Sequence, residues 1–312
     1  MPNVYSARLS VVTPGFILLG VMTSHPLYTA WVVRNFCIQG VIFLLTAHVP
    51  CFFTKRMSYV DIAWPWGLMA LGVQALLFTD GWYLRKYIIG SMYFAAGGRM
   101  GLGAVLMWMQ GHLKKELPRY EFQRRRWAKI GATNEDISLQ FEIFVQGLAN
   151  ASFLAVPAIL QGFNQTPEVQ PLEIVGYLLW AAALLFEHTA DTQKLNFAVR
   201  CKKNGLKAQC CDVGLWRYSR HPNYFGEWMV WNSLILSTLP SLQVAQAAQS
   251  TVVFGSMVCG LLSISYFLYD CLTRYTGAIP AEFYSVQKRP DYKEYQQRVN
   301  MFFPGPRKRY RG

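Results

Sequence analysis

The chain has 312 residues, with 30 Lys and Arg against 17 Asp and Glu, a net charge of +13. Charged residues make up 15% and apolar residues 53%, where an ordinary soluble domain carries about 25% charged. So little polar surface excludes a soluble enzyme of this size, a disordered chain and a fibrous repeat, and leaves a membrane protein as the expected class.

Apolar runs that approach the length of a membrane span fall at 9–23, 36–53, 60–79, 87–109, 139–161, 172–188, 225–239 and 251–270, since a helix needs about 20 such residues to cross. The first run is short and carries Pro14, and the run at 227–239 is short as well. The expectation is therefore an all-α, polytopic membrane bundle of seven or eight transmembrane helices. The N-terminus lacks a compact signal-peptide pattern, so the first run is expected to stay in the mature chain. One integral domain, 1–312, is expected, with 1–138 facing the lipid substrate and 139–312 holding a cytosolic cofactor pocket.

Basic residues gather in alternate loops. Lys114, Lys115, Arg119, Arg124, Arg125, Arg126 and Lys129 lie at 111–136, and Arg200, Lys202, Lys203, Lys207 and Arg217 at 197–220. The tail adds Lys288, Arg289, Lys293, Arg298, Arg307, Lys308, Arg309 and Arg311, whereas 162–171 holds only Glu168 and 240–250 no charge. The positive-inside rule puts the three basic regions in the cytosol, which accounts for the net charge without a nucleic-acid partner. Arg85 and Lys86 break the pattern, falling on the side expected to be non-cytosolic. The seven cysteines form no CxxC pair and read as reduced packing thiols, Cys210 and Cys211 in a basic loop among them.

The densest polar and aromatic cluster is 214–227, GLWRYSRHPNYFGE, ahead of an apolar helix. Ser219 can cap that helix and Pro222 fits its first turn, so free N–H groups face the cytosol as an anion site. Arg217 and Arg220 add donors suited to phosphate, although interfacial capping with snorkelling arginines gives the same spacing. Asn223 and Glu227 are four apart and share a face. A carboxylate one turn into a membrane helix calls for a hydrogen-bonding partner, such as an amide or a ribose hydroxyl. His221 supports the turn, contacts phosphate or exchanges a proton. Glu187, His188 and Asp191 lack a second cluster at ligand spacing, so no metal is expected. Arg124 to Arg126 suit acidic lipid or a cofactor funnel.

The stretch 214–227 resembles the signature of the steroid 5-alpha-reductase family in its broad sense. The resemblance continues upstream to 191–197 (DTQKLNF) and downstream to 276–280 (TGAIP), 289–298 (RPDYKEYQQR) and Phe303-Pro304, about the last 120 residues. In the first half only 61–67 (DIAWPWG) and Arg99-Met100 look familiar. The resemblance implies a helical membrane enzyme, usually of the endoplasmic reticulum, that uses NADPH to reduce a carbon–carbon double bond conjugated to a ketone. It implies that Asn223 and Glu227 hold the nicotinamide end and that Asp191, Arg274 and Arg99 meet the cofactor. Arg217, Arg220, His221 and Tyr224 complete the cofactor set. The glycine-rich 97–103 lies in an apolar helix, where close helix packing is its expected role.

Where characterised steroid reductases carry a Tyr that grips the ketone with a Glu, this chain has Ala96, with Tyr93 one turn away and Asp61 as the nearest acid. Enone reduction needs a donor at the enolate oxygen. Asp61, Tyr93 and Glu227 are therefore the candidates for the chemical step, Asp61 being alternatively an acid at an interfacial helix start. The expected substrate is a lipid or steroid entering from the bilayer. Two alternatives stand. One is an S-adenosylmethionine-dependent methyltransferase like isoprenylcysteine carboxyl methyltransferase, which shares the Arg-His-Pro-x-Tyr-x-Gly stretch at 220–226 but would carry paired acids near Glu282. The other is a non-catalytic lipid-binding membrane protein. The expected location is the endoplasmic reticulum with a cytosolic C-terminus, or the cell membrane in a bacterium.

Overall fold

The computed structural model describes residues 4–132, 134–206, 209–248 and 250–308. Lys207, Arg309 and Arg311, counted above among the basic charges, lie outside the described residues. Among the described residues every regular element is helical: α1 (Val4–Thr23), α2 (Pro26–Phe43), α3 (Val49–Thr54), α4 (Val60–Leu77), α5 (Tyr83–Met109), α6 (Pro118–Lys129), α7 (Glu135–Ala151), α8 (Val156–Gly162), α9 (Pro171–Lys203), α10 (Pro222–Ala248), α11 (Thr251–Asp270), α12 (Ala278–Lys288) and α13 (Tyr292–Arg298). Proline stands in the first turn of α2, α3, α6 and α8, where a missing N–H costs no hydrogen bond. Asn134 caps α7 by accepting from the Ile137 N–H at 3.0 Å.

Five helical stretches are long and apolar enough to cross a membrane: Pro26–Thr54, Met57–Leu77, Glu135–Gly162, Pro171–Lys203 and Thr251–Lys288. Seven or eight spans are expected from sequence, and five stretches qualify by length and composition. In the first run only the shorter apolar stretch Arg8–Thr23 remains. Helices α5 and α10 have 27 residues each, but Arg85, Lys86 and Arg99 in the one, and amides and serines in the other, dilute their apolar character. The exposure pattern is that of a lipid-facing protein. Leu178, Leu185, Val252 and Leu262 are 66–67% exposed, while Asn35, Gln39, Gln74 and Asn150 are 0–1% exposed, the reverse of what water would select.

The chain forms two compact units, Met1–Glu173 with Thr238–Ile264 and Ile174–Ser237 with Ser265–Gly312. The boundary expected at 138–139 falls inside α7. In the first unit α2, α4 and α7 meet around buried amides. Gln39 and Gln74 both donate to Asn35 Oδ1, at 3.1 and 3.0 Å, and Asn150 donates to the Trp64 carbonyl at 3.0 Å. Helices α4 and α5 touch through their backbones: a Cβ on Gly97 would stand 2.5 Å from the Pro65 carbonyl oxygen. Close packing is therefore what this glycine-rich stretch does.

Side-chain contacts separate the two ends of this unit. At one end Lys55 pairs with Asp136 at 2.8 Å, Arg8 donates to Ser138 at 2.6 Å, and Arg119 and Tyr120 both bind Asp61. At the other end the turn before α5 and the loop after α8 are joined. Gly81 N–H donates to the Gly162 carbonyl at 2.8 Å, and Trp82 N–H to that of Asn164 at 2.9 Å. Arg85 lies at this second end and explains its exception to the charge pattern. Its guanidinium is bidentate to Glu173 at 2.6 and 3.1 Å and donates to the carbonyls of Asn164, Thr166 and Glu168 at 3.2, 2.9 and 2.5 Å. All five guanidinium donors are engaged. The charge is neutralised inside the protein and does not count as loop charge.

Candidate functional site in the second unit

Helices α9 and α10 run antiparallel with their backbones in contact at two points. A Cβ on Gly226 would stand 2.8–3.0 Å from Glu187, and a Cβ on Gly176 2.6–2.7 Å from Ser237. Gly226 and Ser237 are eleven residues apart, as are Glu187 and Gly176, which is about three helical turns on each side. This register brings Asp191 opposite Asn223, and the Asn223 amide donates to Asp191 Oδ1 at 3.0 Å. The Asn223 carbonyl oxygen is buried with no hydrogen-bond donor. Glu227 follows one turn further along the same face, and Glu187, 5% exposed, precedes Asp191 by one turn. Four acceptor-bearing side chains thus come from two facing helices.

The segment leading into α10 is anchored on α9 and on the C-terminal region. Leu215 N–H donates to Gln193 Oε1 at 2.8 Å, Trp216 Nε1 to the Ala190 carbonyl at 2.9 Å, and Lys194 Nζ lies 4.2 Å from the Trp216 ring centre. The Tyr295 hydroxyl donates to the Trp216 carbonyl at 2.5 Å. Ser219 does not cap α10: it accepts from His221 N–H at 3.1 Å and donates to the Phe302 carbonyl at 2.8 Å. Arg220 N–H reaches the Asn300 carbonyl at 2.9 Å, and Gly305 N–H that of Tyr218 at 3.0 Å. Phe302 and Phe303 pack edge-on against Phe225 and Trp228 at 5.8–6.0 Å between ring centres.

Glu282 on α12 collects three side chains. Arg220 donates to it bidentately at 2.7 and 3.1 Å, His221 Nε2 lies 3.1 Å from Oε1, and Gln296 donates to Oε2 at 2.6 Å. Arg220 also donates to the carbonyls of Gln296 and Val299 at 2.9 and 2.5 Å. Burial holds the His221 imidazole below its ordinary pKa even though Glu282 pulls the other way. It is therefore neutral at pH 7, with Nε2–H facing the carboxylate. Its ring stacks on Tyr224, 5.2 Å between centres and 6° from parallel. Burial also raises the Tyr292 and Tyr295 phenols and pushes the Cys210 thiol up to about 12. All seven cysteines are free thiols, and Cys210 is inert at neutral pH.

The expected site residues thus fall into groups. Asp191, Asn223, Tyr224 and Glu227 lie together around the α9–α10 crossing. Arg220, expected beside cofactor phosphates, is instead turned inward onto Glu282. Arg217 is exposed, and Arg274, 64% exposed in its side chain, lies 3.4 Å from Asp270. Asp61, Tyr93 and Arg99 belong to the first unit. Tyr93 donates its hydroxyl to the Leu154 carbonyl at 2.5 Å, and Asp61, in the first turn of α4, is bound by Arg119 and Tyr120. That environment is an ion pair at a helix start rather than an apolar pocket for a neutral acid. Among the described residues no three His, Cys, Asp or Glu are placed to hold a metal. Sequence reasoning missed Glu282 as a partner of Arg220 and His221. The available signal was a single acid in the otherwise uncharged 278–287, which needs a partner wherever it is buried.

No curated protein and no solved structure matches the chain. Residues 48–299, which take in both facing helices of this site and Glu282, match the family described as "Protein of unknown function (DUF1295)", and the chain belongs to that family.

Proposed function

We propose that this protein is an NADPH-dependent membrane reductase, of the steroid 5-alpha-reductase type in its broad sense, that saturates a carbon–carbon double bond conjugated to a ketone in an apolar lipid. One observation carries the reading: the buried, donor-less carbonyl oxygen of Asn223, held in place by Asp191 with Glu227 one turn away. An unmatched buried acceptor costs about 1–3 kcal/mol, so the site fits a ligand rich in donors, such as a carboxamide N–H and ribose hydroxyls. When bound, the cofactor supplies hydride. Asp191 fixes the Asn223 amide, so its carbonyl orients a carboxamide, and Glu227 accepts from hydroxyl or amide donors. Of the arginines expected to meet the cofactor, Arg217 and Arg274 in this unit are exposed enough to reach phosphate, and Arg220 is left out because its donors are engaged. Because Ala96 stands in place of the ketone-gripping Tyr, the substrate class is left at an apolar enone lipid and a 4-ene-3-keto steroid is not assumed. We place the protein in the endoplasmic reticulum, or the cell membrane of a bacterium, with seven or eight spans and its basic loops in the cytosol.

The same acceptor-rich site would also receive the ammonium group of S-adenosylmethionine, which keeps methyl transfer as a second reading. Thermal shifts of the detergent-purified protein with NADPH, NADH and S-adenosylmethionine separate the two. A ligand at 100 times its Kd stabilises by about 2.7 kcal/mol. Stabilisation by NADPH that is lost in Asn223→Ala and Glu227→Ala is the expected result. Stabilisation by S-adenosylmethionine alone would overturn it in favour of methyl transfer, and no shift with any of the three would favour a non-catalytic lipid-binding protein.

A further inference from the structure

Helix α6 divides its cations between two faces. Tyr120, Gln123 and Trp127 are buried, with Tyr120 and Trp127 in the same apolar cluster as Phe43, Ala47, Met57 and Ile143. Trp127 Nε1 donates to Glu142 at 3.2 Å. On this inner side Arg119 pairs with Asp61, and Arg124 pairs with Glu135 and with Glu116 at 3.2 Å. Glu116 in turn accepts from the N–H groups of Met57 and Ser58 at 2.8 and 3.1 Å. These pairs fix the roll of the helix about its axis. The outward side then carries Glu121, Arg125 and Lys129, all exposed, and the turn ahead of the helix adds exposed Lys114 and Lys115.

The position of this basic face is set by the spans around it. The stretch Pro26–Thr54 ends here and Met57–Leu77 and Glu135–Gly162 begin here, and Lys55 joins the ends through Asp136 and through its carbonyl, which accepts from Arg124. Apolar side chains at the same end are open: Phe53 is 76% exposed, Met109 72%, Ile130 58% and Trp108 52%. Cations alternating with exposed aromatic and aliphatic groups where three candidate spans terminate describe a helix lying in the headgroup layer.

We infer that the outward side of α6 and the turn ahead of it, with Lys114, Lys115 and Lys129, is a binding surface for anionic phospholipid headgroups. The partner is chosen by charge complementarity: Asp61, Glu116 and Glu135 are paired inward, and exposed Glu121 offsets one charge, so the three lysines leave this side net positive toward the layer where lipid phosphates and carboxylates lie. Each cation brought near an anionic surface raises affinity about fivefold. The surface lies in the first unit and does not depend on the reductase reading.

The test uses the full chain in neutral detergent, with phosphatidylglycerol, phosphatidylcholine or inorganic phosphate added and the thermal shift read at low and high salt. Phosphatidylglycerol is expected to stabilise more than phosphatidylcholine, with the excess screened at high salt. The triple variant Lys114→Gln, Lys115→Gln, Lys129→Gln keeps the Arg119–Asp61, Arg124–Glu116 and Arg124–Glu135 pairs and is expected to lose about tenfold or more of the anionic preference while responding normally to phosphatidylcholine. Equal response of the wild type to both lipids, an undiminished preference in the variant, or equal stabilisation by inorganic phosphate would each overturn the inference. Should the variant fold poorly, the salt dependence of the wild type decides alone: an anionic excess that survives high salt overturns it.

Discussion

Arg85 and Arg220 are each gripped by two oxygens of a buried glutamate, yet the two pairs do different work. Arg85 and Glu173 are 1% and 0% exposed in their side chains, and the guanidinium places its remaining donors on carbonyls of one short loop. Apart from Arg85, Glu173 accepts from the Gln170 N–H at 2.8 Å, still within that loop. The pair is a closed staple. Glu282, by contrast, receives Arg220, His221 and Gln296 from two other segments, and two of the three side chains stand at the entrance to α10. The lesson is that the same chemistry closes a loop where all its partners are local and organises a site where they are not.

The largest effect should come from breaking the staple. Arg85→Met leaves Glu173 buried without its partner and is expected to cost about 3–5 kcal/mol, read as a fall in Tm or loss of the monodisperse peak. Adding Glu173→Leu should restore much of it, because replacing both members of a buried pair can be near neutral. If the staple is local, that double variant keeps any cofactor response; loss of the response at full stability would break the comparison.

Glu282→Gln should cost about 2–3 kcal/mol, since hydrogen bonds to charged groups are worth about 1.5–3 kcal/mol. Here cofactor stabilisation should fall together with Tm, because Asn223 rides on the first turn of α10, which Arg220 and His221 anchor. An unchanged cofactor affinity in a folded Glu282→Gln protein would show that Glu282 is only a staple too.

A smaller effect is expected at the helix crossing. Gly226→Ala puts a methyl group 2.8–3.0 Å from Glu187 and should cost about 1–3 kcal/mol by overpacking, with the Asp191–Asn223 pair loosened and cofactor binding weakened. The smallest concerns His221. Its folded pKa is depressed by burial, so below about 6.5, the ordinary histidine value, the unfolded chain binds a proton that the folded protein resists. Stability is then complete above that pH and falls as pH drops toward the folded pKa, by about 1 kcal/mol per unit. Tm compared at pH 7.5 and 5.5 should show a loss that His221→Gln diminishes.

Much of the fold was legible because lipid-facing helices declare themselves by apolar length, and α10 begins at Pro222, where proline permits a first turn. Asn223 and Glu227 could be placed on one face because helical spacing fixes it. What could not be read was any pairing across the chain. Arg85 lies 88 residues from Glu173 and Arg220 lies 62 from Glu282, and no periodicity reports such a partner. For that reason Arg85 looked like a misplaced loop charge and Arg220 like a phosphate ligand. Ser219 looked like a cap because caps are local, but its hydroxyl goes to Phe302 in the tail. The count of spans depends on α5 and α10, which carry polar groups among their apolar residues and so fall outside the five stretches that qualify by length and composition.

The two glycine contacts that seat α9 against α10 also constrain how this chain can vary in length. A residue inserted between Gly226 and Ser237 would turn one contact by about 100° relative to the other, leaving Gly226 off the Glu187 backbone or Ser237 off Gly176. A matching insertion in 176–187 would not repair this, since both added side chains would have to fit the same interface. Viable relatives should therefore align without gaps through 176–191 and 223–237, and length changes should collect between Lys203, where α9 ends, and Pro222, where α10 begins.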